Sequence, residues 1–152
     1  KACLRRFKYN AGVWLLDDLA QWLVALWRVC PATAQEATVV TGVPLYSKRQ
    51  RERGYNQSSL LAARLAQHIG IPFQDGLLCR RCPTVTQTHL TAAQRVHNVR
   101  GVFSVPWAKR VRGARVVLVD DVMTTGATVN ECARALQAAG AASVMVLTVA
   151  RG

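Results

Sequence analysis

Acid is the scarcest chemistry in this sequence: 8 Asp and Glu stand against 20 Lys and Arg, a formal charge of +12 over 152 residues. A surface so unbalanced disfavours cationic partners and attracts anions, whether nucleic acid, an acidic membrane or a polyphosphate ligand. Long apolar runs are missing too. The most apolar stretch, residues 14–27, is broken by Asp17, Asp18 and Gln21 and falls short of the about 18 to 20 apolar residues a membrane span needs. No small-residue cleavage site follows an apolar run, so no signal peptide is expected. The five cysteines (Cys3, Cys30, Cys79, Cys82 and Cys132) are an odd, scattered set. They make a poor disulfide framework and suit a reducing cytoplasm. Neither GxxxxGK[ST] nor GxGxxG is present, which removes the two commonest nucleotide-binding loops. There is no internal repeat and no low-complexity tract.

What remains is one domain's worth of chain, 51% hydrophobic and 18% charged, enough to bury a core. Residues 1–28 read as one or two helices broken near 10–12, with Leu15, Leu16, Leu19, Trp22, Leu23 and Leu26 forming a wide apolar packing stripe. Residues 38–45 read as a strand that feeds a charged loop, 46–55. Asn56 caps the next helix, whose inner face is Leu61, Leu65 and Ile69 and whose stop is Gly70. Residues 101–105 read as another strand. Cys79-Arg-Arg-Cys82 is a single CxxC with no second pair to complete a zinc site, although His89 and His97 lie downstream. Structural zinc needs four ligands, so two reduced thiols near a strand end is the simpler reading.

The last third carries the chemistry. Residues 115–119 are a continuous apolar run, as in a strand buried on both faces. A helix with Val129, Cys132, Ala133 and Leu136 on its inner face follows, stops at Gly140, and leads to a second apolar strand, 143–149. Strand, helix, strand at this spacing is a βαβ unit with a parallel sheet, and ligands of such sheets bind beyond the carboxyl ends of the strands. There the sequence reads Asp120-Asp-Val-Met-Thr-Thr-Gly-Ala-Thr128. Helix-start amides, permissive Gly126 and three threonine hydroxyls form an anion cradle. Each hydrogen bond to a charged group contributes roughly 1.5–3 kcal/mol. Two acids beside an anion cradle are compatible if the ligand has phosphate at one end and vicinal hydroxyls at the other. A sugar phosphate has both. The competing reading, a plain strand-to-helix turn, leaves these residues as caps.

Residues 116–128 closely resemble the phosphoribosyl-diphosphate loop of type I phosphoribosyltransferases. The resemblance sharpens to the ComF/GntX group, linked to competence and DNA utilisation, through residues 7–9, 43–45 with 53–57, Thr86 and Gln87, and Arg95, Asn98 and 100–103. It implies an α/β fold with a mostly parallel central sheet flanked by helices, N-terminal helices over 1–30 and a small hood over 72–100, all in one domain. It implies that Asp120 and Asp121 take the ribose hydroxyls and that Thr124, Thr125, Gly126, Ala127 and Thr128 take the 5′-phosphate. Lys48, Arg49, Arg51 and Arg53 correspond to the diphosphate loop, although such a charge run also suits a solvated turn. Gln87, Arg95 and Asn98 belong to the hood, Arg95 joining Asp120 and Asp121 as a catalytic candidate. Mg²⁺ accompanies the diphosphate.

The activity implied is Mg²⁺-dependent transfer of the phosphoribosyl group from phosphoribosyl diphosphate to an unidentified acceptor, or binding of ribose 5-phosphate. The alternative is a catalytically silent sensing or adaptor module that works with competence or DNA-uptake proteins. A basic α/β domain without pocket activity is the third reading. Relatives often form homodimers. No isolated basic tract or aromatic-interleaved basic patch is read, so direct sequence-specific DNA binding is not the expected mode. Relatives that act on 6-oxopurines have an acid where Thr124 stands, so a hypoxanthine or guanine acceptor is not expected. Cys79 and Cys82 replace residues that are often basic in the group. The group's N-terminal zinc ribbon has no counterpart in this chain, which opens on Lys1, and its loss upstream is the expectation.

Overall fold

The computed structural model describes residues 15–32, 36–82 and 101–152. Residues 1–14 of the N-terminal segment and residues 83–100 of the expected hood, with Gln87, Arg95 and Asn98, lie outside them. Three parallel strands make the central sheet in the order β1 (Val39–Gly42), β4 (Arg115–Met123), β5 (Ser143–Arg151). Phe73 adds a one-residue parallel bridge to Val40 at the β1 edge. A separate antiparallel pair joins β2 (Cys79–Arg80) to β3 (Phe103–Ser104).

Helices cover both faces of the sheet. On one, Leu19, Leu23 and Trp27 of α1 (Leu16–Arg28) and Leu61 and Leu65 of α3 (Gln57–Ile69) pack with Val40, Val117 and Val119. On the other, Val129, Cys132 and Leu136 of α4 (Ala127–Ala138) pack with Val116, Leu118 and Phe103. Alternation along β4 sends odd and even residues to opposite layers, which is why its run is apolar without a break. Among the described residues no helix is long and apolar enough to cross a membrane.

Two local readings change. The charged segment after β1 is helical over α2 (Ser47–Arg53), stopped by Gly54 at φ +77°. Its side chains are exposed through Glu52, so solvation and backbone bonding carry these roughly two turns without buried side chains. The α1 stripe is wider than the face it buries: Trp22 (60%) and Leu26 (43%) stay exposed while Leu19, Leu23 and Trp27 turn inward. At 100° per residue, six apolar positions outspan one packing seam.

Candidate functional site

The carboxyl end of β4 and the start of α4 enclose a cleft of about 170 Å³, lined by Asp120, Val122, Met123 and residues 124–129. Gly126 precedes α4 in the left-handed region, φ +78°, a conformation in which an L side chain is strained. Gly126, at the N-cap position, makes no side-chain cap bond to the helix. Only a long 3.4 Å bond from the Ala127 amide to Thr125 Oγ1 approaches the first turn from within the loop. The amide end of α4 therefore lines the cleft together with Thr124, Thr125 and Thr128. Unpaired helix-start amides and their partial positive charge favour an anion.

Asp120 is 8% exposed and held in place. Its Oδ1 accepts from Ser58 Oγ at 3.0 Å and from the Asp121 amide at 2.9 Å. Ser58 is delivered by the first turn of α3, where Asn56 takes the capping role expected of it: Oδ1 accepts the Ser58 amide at 3.1 Å, and Nδ2 donates to Val43 O at 3.0 Å. Gly42 makes that approach possible, because a Cβ there would sit 2.6 Å from Ser58 and Ser59 backbone atoms. Asp121, also 8% exposed, does not line the cleft. Its Oδ1 accepts the Val122 amide at 2.8 Å, and strand alternation gives it the opposite face from Asp120.

The candidate cations lie outside this wall. Lys48, Arg49 and Arg51 are exposed on α2, and Arg53 Nη1 donates to Gln57 Oε1 at 3.3 Å. Arg80, which the sequence reading left without a role, is half-buried on β2. It rests over the Phe103 ring, 5.7 Å to the centroid. Burial and then the neighbouring Arg49 lower its pKa, while Cys132 and Asp120 act in the opposite direction. Burial first and Asp120 second push the Cys132 thiol well above its ordinary value.

Glu131, one turn into α4, is the other residue the sequence reading missed. Its carboxylate accepts the Gly101 amide at 2.6 Å and two Arg134 bonds at 2.9 and 2.7 Å, tying the entry to β3 onto α4. The signal available beforehand was spacing: Glu131 and Arg134 are i and i+3 on a helix. Nothing in the sequence pointed to Gly101. Cys79 and Cys82 are exposed thiols, and among the described residues no group of three His, Cys, Asp or Glu is placed to hold a metal. Mg²⁺ characteristically uses one or two carboxylates plus substrate phosphates and water, and Asp120 and Asp121 are the carboxylates at this strand end.

Residues 56–152 match the family described as Phosphoribosyl transferase domain. The chain is similar to competence protein F of Haemophilus influenzae, 36% identical over 97% of this chain and 66% of that protein. It is also similar to the DNA utilization protein YhgH of Salmonella typhi, 41% identical over 74% of this chain and 48% of that protein. The chain thus spans from just under half to about two thirds of these relatives' lengths. Among solved structures, a B. subtilis glutamine phosphoribosylpyrophosphate amidotransferase complexed with ADP and GMP superposes with a TM-score of 0.59, at 30% identity over 88% of this chain and 26% of that one.

Proposed function

This chain belongs to the phosphoribosyl transferase domain family, in its ComF branch, and on that premise we propose that its cleft binds phosphoribosyl diphosphate and that it transfers the phosphoribosyl group to an acceptor. The observation that carries this reading is the juxtaposition of an anchored Asp120 with an uncapped helix start in one cleft. A phosphate at the amides of residues 124–128 leaves the pentose directed toward Asp120, whose carboxylate accepts a ribose hydroxyl, whereas Asp121, turned to the opposite face and outside the cleft lining, departs from the role the resemblance implies for it.

In the reaction the bond between C1′ and the diphosphate oxygen breaks, both electrons leaving with the diphosphate, while the acceptor's lone pair forms the new bond to C1′ and the acceptor gives up its proton to solvent. Positive charge then grows on the sugar in an oxocarbenium-like transition state. Arg80, with Arg49 and Lys48 on α2, supplies cations of the right sign for the departing group, and preorganised charge of this kind lowers a barrier most effectively where water is excluded. Mg²⁺, held chiefly by the diphosphate with Asp120 or Asp121 within its preferred donor chemistry, would neutralise leaving-group charge. Arg95, Gln87 and Asn98 are assigned to the hood by resemblance alone. The names of the curated relatives support a setting in competence and DNA utilisation, and we place the protein in the cytoplasm.

The test is calorimetric titration of phosphoribosyl diphosphate with and without Mg²⁺, followed by diphosphate release in the presence of amine, ammonia and base acceptors. Binding with turnover supports transfer. Binding without turnover for any acceptor favours the adaptor role. Undiminished binding in an Asp120→Ala, Asp121→Ala double variant overturns the site assignment.

A further inference from the structure

The β5 flank of the molecule carries two features that the cleft does not use. The first is a free strand edge. β4 lies on one side of β5, and among the described residues no strand lies on the other. At the two ends of β5 the Ala142 and Gly152 amides donate to Ala114 O at 2.8 Å and Met123 O at 3.0 Å. Alternation between those bonds turns the main-chain groups of Met145, Leu147 and Val149 to the outer edge. Edge strands are ordinarily blunted by being short or by carrying Lys or Pro. β5 runs nine residues, Ser143–Arg151, with neither Lys nor Pro, and its first eight residues are uncharged.

The second feature is an apolar stripe on α1. This helix packs on β5 and beside α3, which in turn covers β1 and β4. Two contacts mark the side of α1 that meets α3: Arg64 Nε to Asp17 Oδ1 at 2.9 Å, and Gln21 Nε2 to His68 Nε2 at 3.5 Å. Trp22, Leu26 and Val29 are exposed and stand about 120–180° round the helix from Asp17 at 3.6 residues per turn. They therefore face away from α3, toward the side of the free edge. Unpaired main-chain groups and an apolar stripe share one flank.

Charge selects the occupant. The chain carries +12, so two copies repel wherever their basic surfaces meet. Over α1 and β5 the balance is zero, Asp17 and Asp18 offsetting Arg28 and Arg151. Trp107, the other open indole, offers no such strip: the Arg110 guanidinium lies 5.6 Å from its centroid, with Lys109 and Arg112 exposed nearby. We propose that the β5–α1 flank is the interface of a twofold homodimer. β5 pairs antiparallel with β5 of a second copy, and the Trp22, Leu26 and Val29 stripes close over the same axis. That axis sets the acidic first turn of α1 toward Arg28 of the other copy. The two Arg151 residues stay about 26 Å apart, eight residues of strand at the usual rise. A contact of this self-complementary kind closes after two copies. The strands of the copies run in opposite directions, so the two clefts open at opposite ends of one six-stranded sheet.

The experiment is sedimentation equilibrium of this chain over a micromolar concentration series, where a reversible monomer–dimer equilibrium is expected. Trp22→Glu with Leu26→Glu places charge at exposed positions that a folded monomer tolerates, and is expected to weaken association at least about 30-fold. Val149→Pro removes one outward donor without touching the β4 ladder, and the same loss is expected. Phe73→Glu, at the β1 edge of the sheet, is expected to leave the dimer unchanged. Hydrogen exchange gives the second readout. The Met145, Leu147 and Val149 amides are expected to be slow in the dimer and fast in the double Glu variant, while slow exchange at Val117 in both shows the fold intact. A monomer at every concentration overturns the proposal. So does a dimer that survives the double Glu variant or Val149→Pro, because it then uses another face. Edge amides that stay protected in the monomeric variant overturn it too, because another part of this chain then covers β5. Phosphoribosyl diphosphate titrations of the double Glu variant are expected to match those of the parent, so failure here and failure of the cleft assignment are separable.

Discussion

Ser58 Oγ donates to Asp120 Oδ1 at 3.0 Å across 62 residues of sequence, fastening the start of α3 to the tip of β4. The bond sits at the junction of the two packing layers, where the close approach at Gly42 brings α3 onto the sheet. A carboxylate that must meet a sugar is thereby fixed in direction before any ligand arrives.

Ser58→Ala removes one donor and leaves the bond from the Asp121 amide in place. The expected loss is about 1–2 kcal/mol of stability and several-fold weaker phosphoribosyl diphosphate binding, read by urea denaturation and calorimetry. Unchanged affinity would mean that Asp120 does not depend on Ser58 for its orientation.

Gly42→Ala places a methyl 2.6 Å from backbone atoms of Ser58 and Ser59. Backbone cannot swing aside as a side-chain end can, so α3 has to move. A cost of about 2–3 kcal/mol is expected, measured as a fall in the urea midpoint, with the Ser58–Asp120 bond lost as well.

Gly126→Ala makes only ordinary van der Waals contacts, with Asn130 Nδ2 at 3.6 Å and Met123 Sδ at 3.8 Å. The penalty is therefore conformational, about 1–2 kcal/mol at φ +78°. Gly126→Asn, better tolerated in that region, is expected to retain more stability and more phosphate binding than the Ala variant. The reverse order in thermal melts would rule out backbone strain as the cause.

Glu131→Ala strips the Gly101 amide of a charged acceptor, and about 1.5–3 kcal/mol is expected to go with it. Glu131→Gln keeps an acceptor and is expected to recover most of the loss. Hydrogen exchange at Gly101 is the direct readout, faster in the Ala variant than in the Gln variant.

Cys79 and Cys82 are exposed, whereas Cys132 is buried with its thiol pKa raised from an ordinary 9.0. Alkylation followed by mass spectrometry is expected to label the first two in the native protein and Cys132 only on unfolding. Above about pH 9 the unfolded chain gives up a proton that folded Cys132 keeps, so this residue's contribution makes stability fall as pH rises through that region. Cys132→Ala removes that slope.

The β4–α4–β5 unit, the cleft-forming loop and the Asn56 cap were legible in the sequence, because each is written in consecutive residues: an unbroken apolar run, a helix-start signature, a short polar cap. Only the packing of distant elements turns adjacent Asp120 and Asp121 to opposite faces, adds Ser58 to the Asp121 amide as a second donor to Asp120, and sets Arg80 of the β2–β3 pair over the Phe103 ring. It also decided that Trp22 stays in solvent and that Trp107 lies open beside Arg110. Periodicity encodes which way a residue faces on its own element. What stands opposite that face depends on how elements far apart in the chain pack, and no local pattern of residues carries that information.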